Sequence, residues 1–217
     1  MASIKLKHTS GNGTILHSPA ANPSADVTLK LPSTTGSAGQ VLQVASANHS
    51  STNAELEFAA AAGGLFSSYA IIRDQKSNAD GGTFTSGDWR TRDLNTEVVD
   101  ADGIVSISSN QFTLQAGTYL IKAVTPAYES AFHQNRLYNI TDSSVVDTGS
   151  SAYTKVSSFV QTNSILISRF TITGAKVFEV QHRAETTKAS QGFGVRSSAG
   201  FTTDADIYTI VEIYKEA

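Results

Sequence analysis

The sequence predicts an all-β protein, a sandwich or barrel built from short strands, and three observations predict it. Strand-length runs alternate apolar and other residues with a period of two. Gly, Asn and Asp punctuate those runs at regular spacing, as turns require. No helical heptad and no repeat of fixed period appears, which argues against a coiled-coil stalk or a solenoid. The pattern is sharpest from Phe112 to Val124. Phe112 and Leu114 alternate before Ala116-Gly117, and Tyr119, Ile121 and Ala123 alternate after it. The stretch reads as two strands pinched by a turn.

Residues 1–64 read as a segment apart, rich in short hairpins. Ser3 to Lys7 alternates weakly, Gly11-Asn-Gly13 supplies a turn, and Thr14 to His17 reads as a return strand. Pro19 and Pro23 punctuate the chain. Asp26 to Leu31 then places Val27, Leu29 and Leu31 on one side, and Pro32 ends that strand. Ser33 to Gly39 is a loop, and Gln40 to Val44 is a further strand carrying Val41 and Leu42. Glu55 to Phe58 alternates again, and Ala59 to Gly64 reads as a hinge. So few apolar residues cannot offset an ordering cost of about 1–2 kcal/mol per residue, so the segment must pack on something else.

Residues 65–217 carry the denser pattern. Tyr69 and Ile71 alternate against Ala70 and Ile72. Gly81-Gly82 and Ser86-Gly87 turn the chain before Trp89, and Asp100 to Gly103 makes a turn ahead of Ile104, Ser106 and Ser108. Arg136 to Ile140, Ser144 to Asp147, Val156 to Val160 and Ser164 to Ile172 read as strands. Lys176 to Ala184 sets Phe178, Val180, His182 and Ala184 on one face. Asp206 to Tyr214 is apolar on both faces, with Tyr208, Ile210 and Tyr214 among its large side chains. A strand of that kind faces the core on one side and another subunit on the other.

Composition narrows the function classes. The chain has 217 residues, 40% of them hydrophobic and only 16% charged, with a formal net charge of −3 and no cysteine. Low charge with abundant Ser, Thr and Gly suits a hydroxyl-covered β protein rather than a disordered chain. No basic footprint for nucleic acid exists. A disulfide framework, a cysteine zinc site and a thiol nucleophile are excluded. No run of about 18 apolar residues predicts membrane insertion. The absence of disulfides favours assembly in a bacterial cytoplasm, and Met1 to Lys7 lacks the apolar core of a signal peptide.

Two phrases carry a resemblance. From Trp89 to Tyr119, a Leu94-Asn95 pair, the valines Val98-Val99, a glycine turn and F-T-L-Q-A-G-T-Y follow in order. This resembles the C1q/tumour-necrosis-factor type of jelly roll, and more closely the trimeric heads of tailed-phage fibres and other phage appendages. Gln115-Ala116 stands where the animal domains usually carry a proline. From Val27 to Leu42, V-T-L-K-L-P-S-T-T-G-S-A-G-Q-V-L resembles a phrase common in phage structural proteins, where it precedes a tip or docking module.

The resemblance implies a jelly-roll sandwich with an N-terminal hairpin-rich arm, assembled as a homotrimer in a virion. The arm, through Val27, Leu29, Leu31, Val41 and Leu42, would dock on other virion proteins. The core and the trimer seam would draw on Tyr69, Phe112, Tyr119, Phe178, Val180, His182, Tyr208, Ile210 and Tyr214. The segment from Tyr128 to Asn135 reads as a loop whose Tyr128, Phe132 and His133 suit contact with a host glycan or outer-membrane protein. The leading reading is a non-enzymatic tail fibre or knob for host attachment. A capsid decoration protein and a carbohydrate-binding or glycan-modifying module are the alternatives.

No catalytic, metal or cofactor site is expected. Asp100-Ala-Asp-Gly103 could open a calcium loop, but Ile104-Val105-Ser106 follows where further oxygens are needed, so a hairpin turn is the plainer reading. Glu97 with Asp100 or Asp102 could form a glycosidase pair only across a cleft. Glu179 and His182 match Glu-x-x-His, yet on a strand they point to opposite faces. His182 reads as a satisfied buried or interface side chain, with a ring of three copies on a three-fold axis as the sharper alternative. Gly192 to Gly200 reads as a flexible loop, not a phosphate loop.

Overall fold

The computed structural model describes residues 3–7, 13–17, 28–45, 50, 53–60, 64–197 and 205–217. The chain divides into two units, Met1–Ala62 and Gly63–Ala217. Val27, His8, His49, Gly11-Asn12, Ala61 to Gly63 and Ser198 to Gly200 lie outside the described residues.

In the first unit, β1 (Ser3–Lys7) pairs antiparallel with β2 (Gly13–His17). A separate sheet contains β3 (Thr28–Lys30), β4 (Gln40–Val44) and β5 (Asn53–Ala60), with β3 parallel and β4 antiparallel to β5. Across residues 28–45 and 54–60 of this unit only Ala45 is buried, and Leu29, Leu31, Val41, Leu42 and Val44 are all exposed. Over those residues the alternating apolar side chains face solvent.

The second unit is a jelly-roll sandwich. Its first sheet has the order β15-β11-β17-β6-β8, formed by Gln161–Ile172, Gly117–Tyr128, Ala205–Glu216, Phe66–Ser77 and Thr96–Asp100. The second has the order β13-β12-β16-β10-β9, formed by Ser144–Thr148, Ala131–Asn139, Lys176–Ala184, Gln111–Leu114 and Val105–Ser108. Two short strands join the second sheet: β7 (Arg90–Thr91) on β16 and β14 (Ala152–Thr154) on β12.

This topology corrects the hairpin expected around Ala116-Gly117. β10 pairs with β9 and β16, whereas β11 pairs with β15 and β17, so the turn carries the chain from one sheet to the other. The Asp100 turn crosses in the same way, from β8 to β9. Alternation marks each strand but is blind to which neighbour it takes. Val156 to Val160, expected as a strand, is instead a turn with Ser157 and Phe159 at φ 57° and 56°.

The main core lies between the sheets and includes Ile72, Leu94, Phe112, Tyr119, Ile121, Leu137, Phe178, Val180 and Ile213. A smaller cluster of Phe84, Ala127, Ala184 and Phe193 sits apart from it. Phe193 contradicts the flexible-loop reading of its segment. It is buried, its amide bonds to the Gly82 carbonyl at 3.0 Å, and Gly194 at φ 137° leaves no room for a Cβ, which would stand 2.3 Å from Tyr208 Cδ1. Glycines here give close approach of backbone to ring rather than mobility.

Candidate functional site

Three places in the head concentrate side chains whose chemistry is not explained by apolar packing. The first is internal. Arg92 alternates with Leu94 and is fully buried with it, because both face the sandwich interior. Its Nε donates to Thr209 Oγ1 at 2.8 Å, Nη1 to the Pro126 carbonyl at 3.1 Å and Nη2 to the Phe193 carbonyl at 2.8 Å. The guanidinium lies 4.1 Å from the Phe193 ring centroid. A bulge in β17 between Ile207 and Ile210 turns Tyr208 and Thr209 both inward, which is how Thr209 reaches Arg92. Burial lowers the Arg92 pKa to about 9, against the pull of Asp74 and Asp93.

Beside Arg92 sit two histidines. His133 Nδ1 is 3.0 Å from His182 Nε2, and His133 Nε2 is 2.9 Å from Thr162 Oγ1. Phe84 packs on His182 with ring centroids 4.7 Å apart. Burial, then the Arg92 charge, pushes His133 down to about 4, and the same causes with His133 itself hold His182 well below the usual range. Both are neutral at neutral pH. His182 Nδ1 has no hydrogen-bond partner among the described residues. These groups brace the sandwich; among the described residues, no group of three His, Cys, Asp or Glu side chains could hold a metal.

The second place is the outer face of the first sheet. Three rows cross it: Arg169, Leu120, Tyr214 and Tyr69; Ile167, Lys122, Glu212 and Ile71; Ile165, Val124, Ile210 and Arg73. Ile167 is 64% exposed with Ile165 exposed beside it on β15, and Tyr69, 51% exposed, stands three strands away on β6. At the centre, Lys122 Nζ bonds to Glu212 Oε1 at 3.0 Å, and the Tyr214 hydroxyl donates to Glu212 Oε2 at 3.0 Å. The Lys122 bond holds Glu212 below the usual carboxylate range. The face is an apolar field with the Lys122–Glu212 pair at its centre and, at its edges, Arg169 paired with Glu216 and Arg73 bonded to Gln75.

The third place is the outer face of the second sheet. Trp89 lies between two arginines, with the Arg136 guanidinium 4.1 Å and the Arg183 guanidinium 5.0 Å from its ring. Phe132 and Tyr153 form an exposed aromatic pair, centroids 4.9 Å apart. A cleft of about 310 Å³ opens beside them.

The sequence-predicted residues sort by strand parity. Phe112, Tyr119, Phe178, Val180, His182 and Tyr208 are buried inside one chain's sandwich, while Tyr69, Ile210 and Tyr214 face outward on the first sheet. His182 therefore belongs to the internal cluster and has no route to a ring of copies. Tyr128 and His133 are corrected in the same way. The expected loop is the end of β11 and the start of β12, and both side chains are buried, His133 inside the sandwich and Tyr128 with the Lys188 ammonium over its ring; Phe132 alone of the three is exposed. Asp100 accepts from the Ile104 and Val105 amides at 2.8 and 2.9 Å, so its two oxygens serve the turn. Sequence reasoning passed over Arg92, Arg136 and Arg183. The parity of Arg92 with Leu94 was the available signal for the first; nothing local distinguishes the other two.

No family model matches this chain, and no curated protein sequence matches it. Solved structures similar in fold include murine APRIL, 9% identical, covering 68% of this chain and 98% of that one at a TM-score of 0.44. The globular domain of zebrafish complement 1qA is 12% identical over 68% of this chain and 96% of its own, at 0.42. Eiger TNF from S. frugiperda is 11% identical over 69% and 92%, at 0.45. The jelly-roll assignment rests on the strand pairing described above.

Proposed function

We propose that the chain is a non-enzymatic virion structural protein of a tailed phage, a homotrimer whose head faces the host surface and whose N-terminal segment docks on other virion proteins. The observation that carries the trimer is the outer face of the first sheet. Covering the still-exposed half of side chains such as Ile167, Ile165 and Tyr69 is worth roughly 1 kcal/mol each, and an apolar field of this kind marks an association surface. The Lys122–Glu212 pair at its centre, already satisfied within one chain, can be buried without leaving an unpaired charge. A closed ring also leaves no free copy of the face, as a three-fold assembly requires. The phage setting draws on the two phrases in the sequence. The exposed Leu29, Leu31, Val41 and Leu42 support docking of the first unit on a partner.

Light scattering on the purified protein tests the assembly. A mass near three times 22.9 kDa is expected, and a monomer at micromolar concentration overturns it. Copy number per particle then separates a tail appendage, present in few copies, from a capsid decoration protein, present in many.

A further inference from the structure

On the outer face of the second sheet, cross-strand register places Gln134 opposite Arg183 and Arg136 opposite Gln181. Arg136 Nε donates to Gln181 Oε1 at 2.6 Å, and its guanidinium stacks on Trp89 and, at 5.0 Å, on Tyr138. Neither Arg136 nor Arg183 makes an ion pair among the described residues, although the two repel each other across one strand spacing. Two guanidiniums lie against one indole and neither is in an ion pair among the described residues, although Asp88 and Glu179 act on Arg136 from further off, so Arg183 is the cation with donors left for an anionic group.

The cleft next to Arg183 supplies the rest of a recognition set. Phe132, 65% exposed, offers a flat apolar ring at its edge. Gln134 Nε2 is held by the Gly149 carbonyl at 2.8 Å, which fixes the amide and leaves its Oε1 as an acceptor. Ser151 and Glu185 complete the polar lining. An aromatic plane, the Arg183 guanidinium and polar side chains that can bond sugar hydroxyls, all within one shallow cleft, match a pyranose ring that carries a carboxylate. A polyanion such as nucleic acid fits less well, because it needs a run of cations along its backbone and this cleft is lined by one arginine with Glu185 beside it, enough for a single carboxylate at most.

We propose that this cleft binds an acidic saccharide, with the sugar carboxylate on Arg183 and the ring against Phe132. The inference rests on the reading of the head as an attachment module and names the ligand class of that module. The cleft lies on the opposite outer face of the sandwich from the apolar field, so it stays open when that field is covered. Each copy in an assembly then adds one weak site, and avidity supplies the strength.

Calorimetric titration of the full chain with trigalacturonate and with sialyllactose, using lactose as the neutral control, tests it. At least one acidic probe should bind saturably with a Kd on the order of 1 mM, roughly tenfold or more tighter than lactose. Arg183→Gln should weaken that probe roughly tenfold, and Phe132→Ala should weaken it comparably. Both positions are exposed, so the melting temperature should not move. No saturation by either acidic probe at about 10 mM, equal binding of lactose, or full binding by Arg183→Gln each overturns the proposal. Light scattering on the same sample keeps the readings apart. A trimer that binds neither acidic probe loses the saccharide site alone, and a monomer that binds one keeps the site and loses the trimer.

Discussion

The Tyr119 hydroxyl donates to the Gln115 carbonyl at 3.0 Å, reaching back across the corner where the chain leaves the second sheet and enters the first. The ring is buried in the core and packs on Phe170 with centroids 6.2 Å apart, so one side chain anchors the corner and fills the space beneath it. Burial, with Asp100 nearby, raises its pKa, and the hydroxyl keeps its proton to donate. Tyr119→Phe removes the hydrogen bond and leaves the packing. The expected loss is about 1 kcal/mol of unfolding free energy in a urea titration with unchanged slope. No measurable loss would mean that the corner is held by its strands alone.

The corner also shows where the sequence was legible. Alternation located β11, β15, β16 and β17 to within a few residues, and the resemblance gave their architecture. Alternation did not reveal that β10 and β11 belong to different sheets, because a tight turn and a sheet-crossing corner use the same glycine chemistry. Parity likewise told which side chains share a face, but not whether that face is core or outside. Tyr69 and Tyr119 therefore stood in one group until the sandwich separated them. Trp89 and the two arginines on it come from three segments, and only the folded register brings them together.

The histidine pair predicts a pH dependence of stability. His133 falls to about 4 in the folded head, and His182 is also held well below its usual range by burial and the Arg92 charge, while both return to about 6.5 when unfolded. The unfolded chain therefore binds more protons across this window, and stability is full above about 6.5 and falls as pH drops towards 4. The charges facing the pair give no relief, since Arg92 is the nearest and repels a second cation. Asp74, raised chiefly by burial, works in the opposite sense at lower pH, whereas Glu129 and Glu212, both lowered by lysine hydrogen bonds, add further loss there. Melting temperature measured between about pH 7 and pH 5 should decline, and the decline should be shallower in His133→Gln. A flat profile in the native chain contradicts the buried neutral pair.

Gly194 predicts a steric effect of the opposite character, independent of pH. At φ 137° it presents its open side to Tyr208, and an added Cβ would lie 2.3 Å from Cδ1 and 2.7 Å from Cε1 of that ring. Tyr208 has little freedom to retreat, because its hydroxyl donates to the Ala79 carbonyl at 2.6 Å. Gly194→Ala therefore combines backbone strain with a core clash and should cost about 2 kcal/mol or more. Gly103→Ala, also at positive φ but with nothing within 4 Å, should cost less. Equal losses in the two variants would show that backbone strain alone sets the penalty.

The apolar field on the first sheet gives the sharpest test of assembly. Ile167 points outward at the field's edge and is 64% exposed in the single chain, so Ile167→Glu should leave the isolated head folded. Covered by a second copy, the same carboxylate would be desolvated with no partner of its own, since Lys122 opposite it is already bonded to Glu212. Association should then weaken by several kcal/mol, enough to yield monomers at micromolar concentration with a native β-sheet circular dichroism spectrum. Lys122→Met should act through the other half of the pair, leaving Glu212 buried with only the Tyr214 hydroxyl. If both variants sediment like the parent protein, the field is not the seam, and the exposed isoleucines must be covered by a different partner.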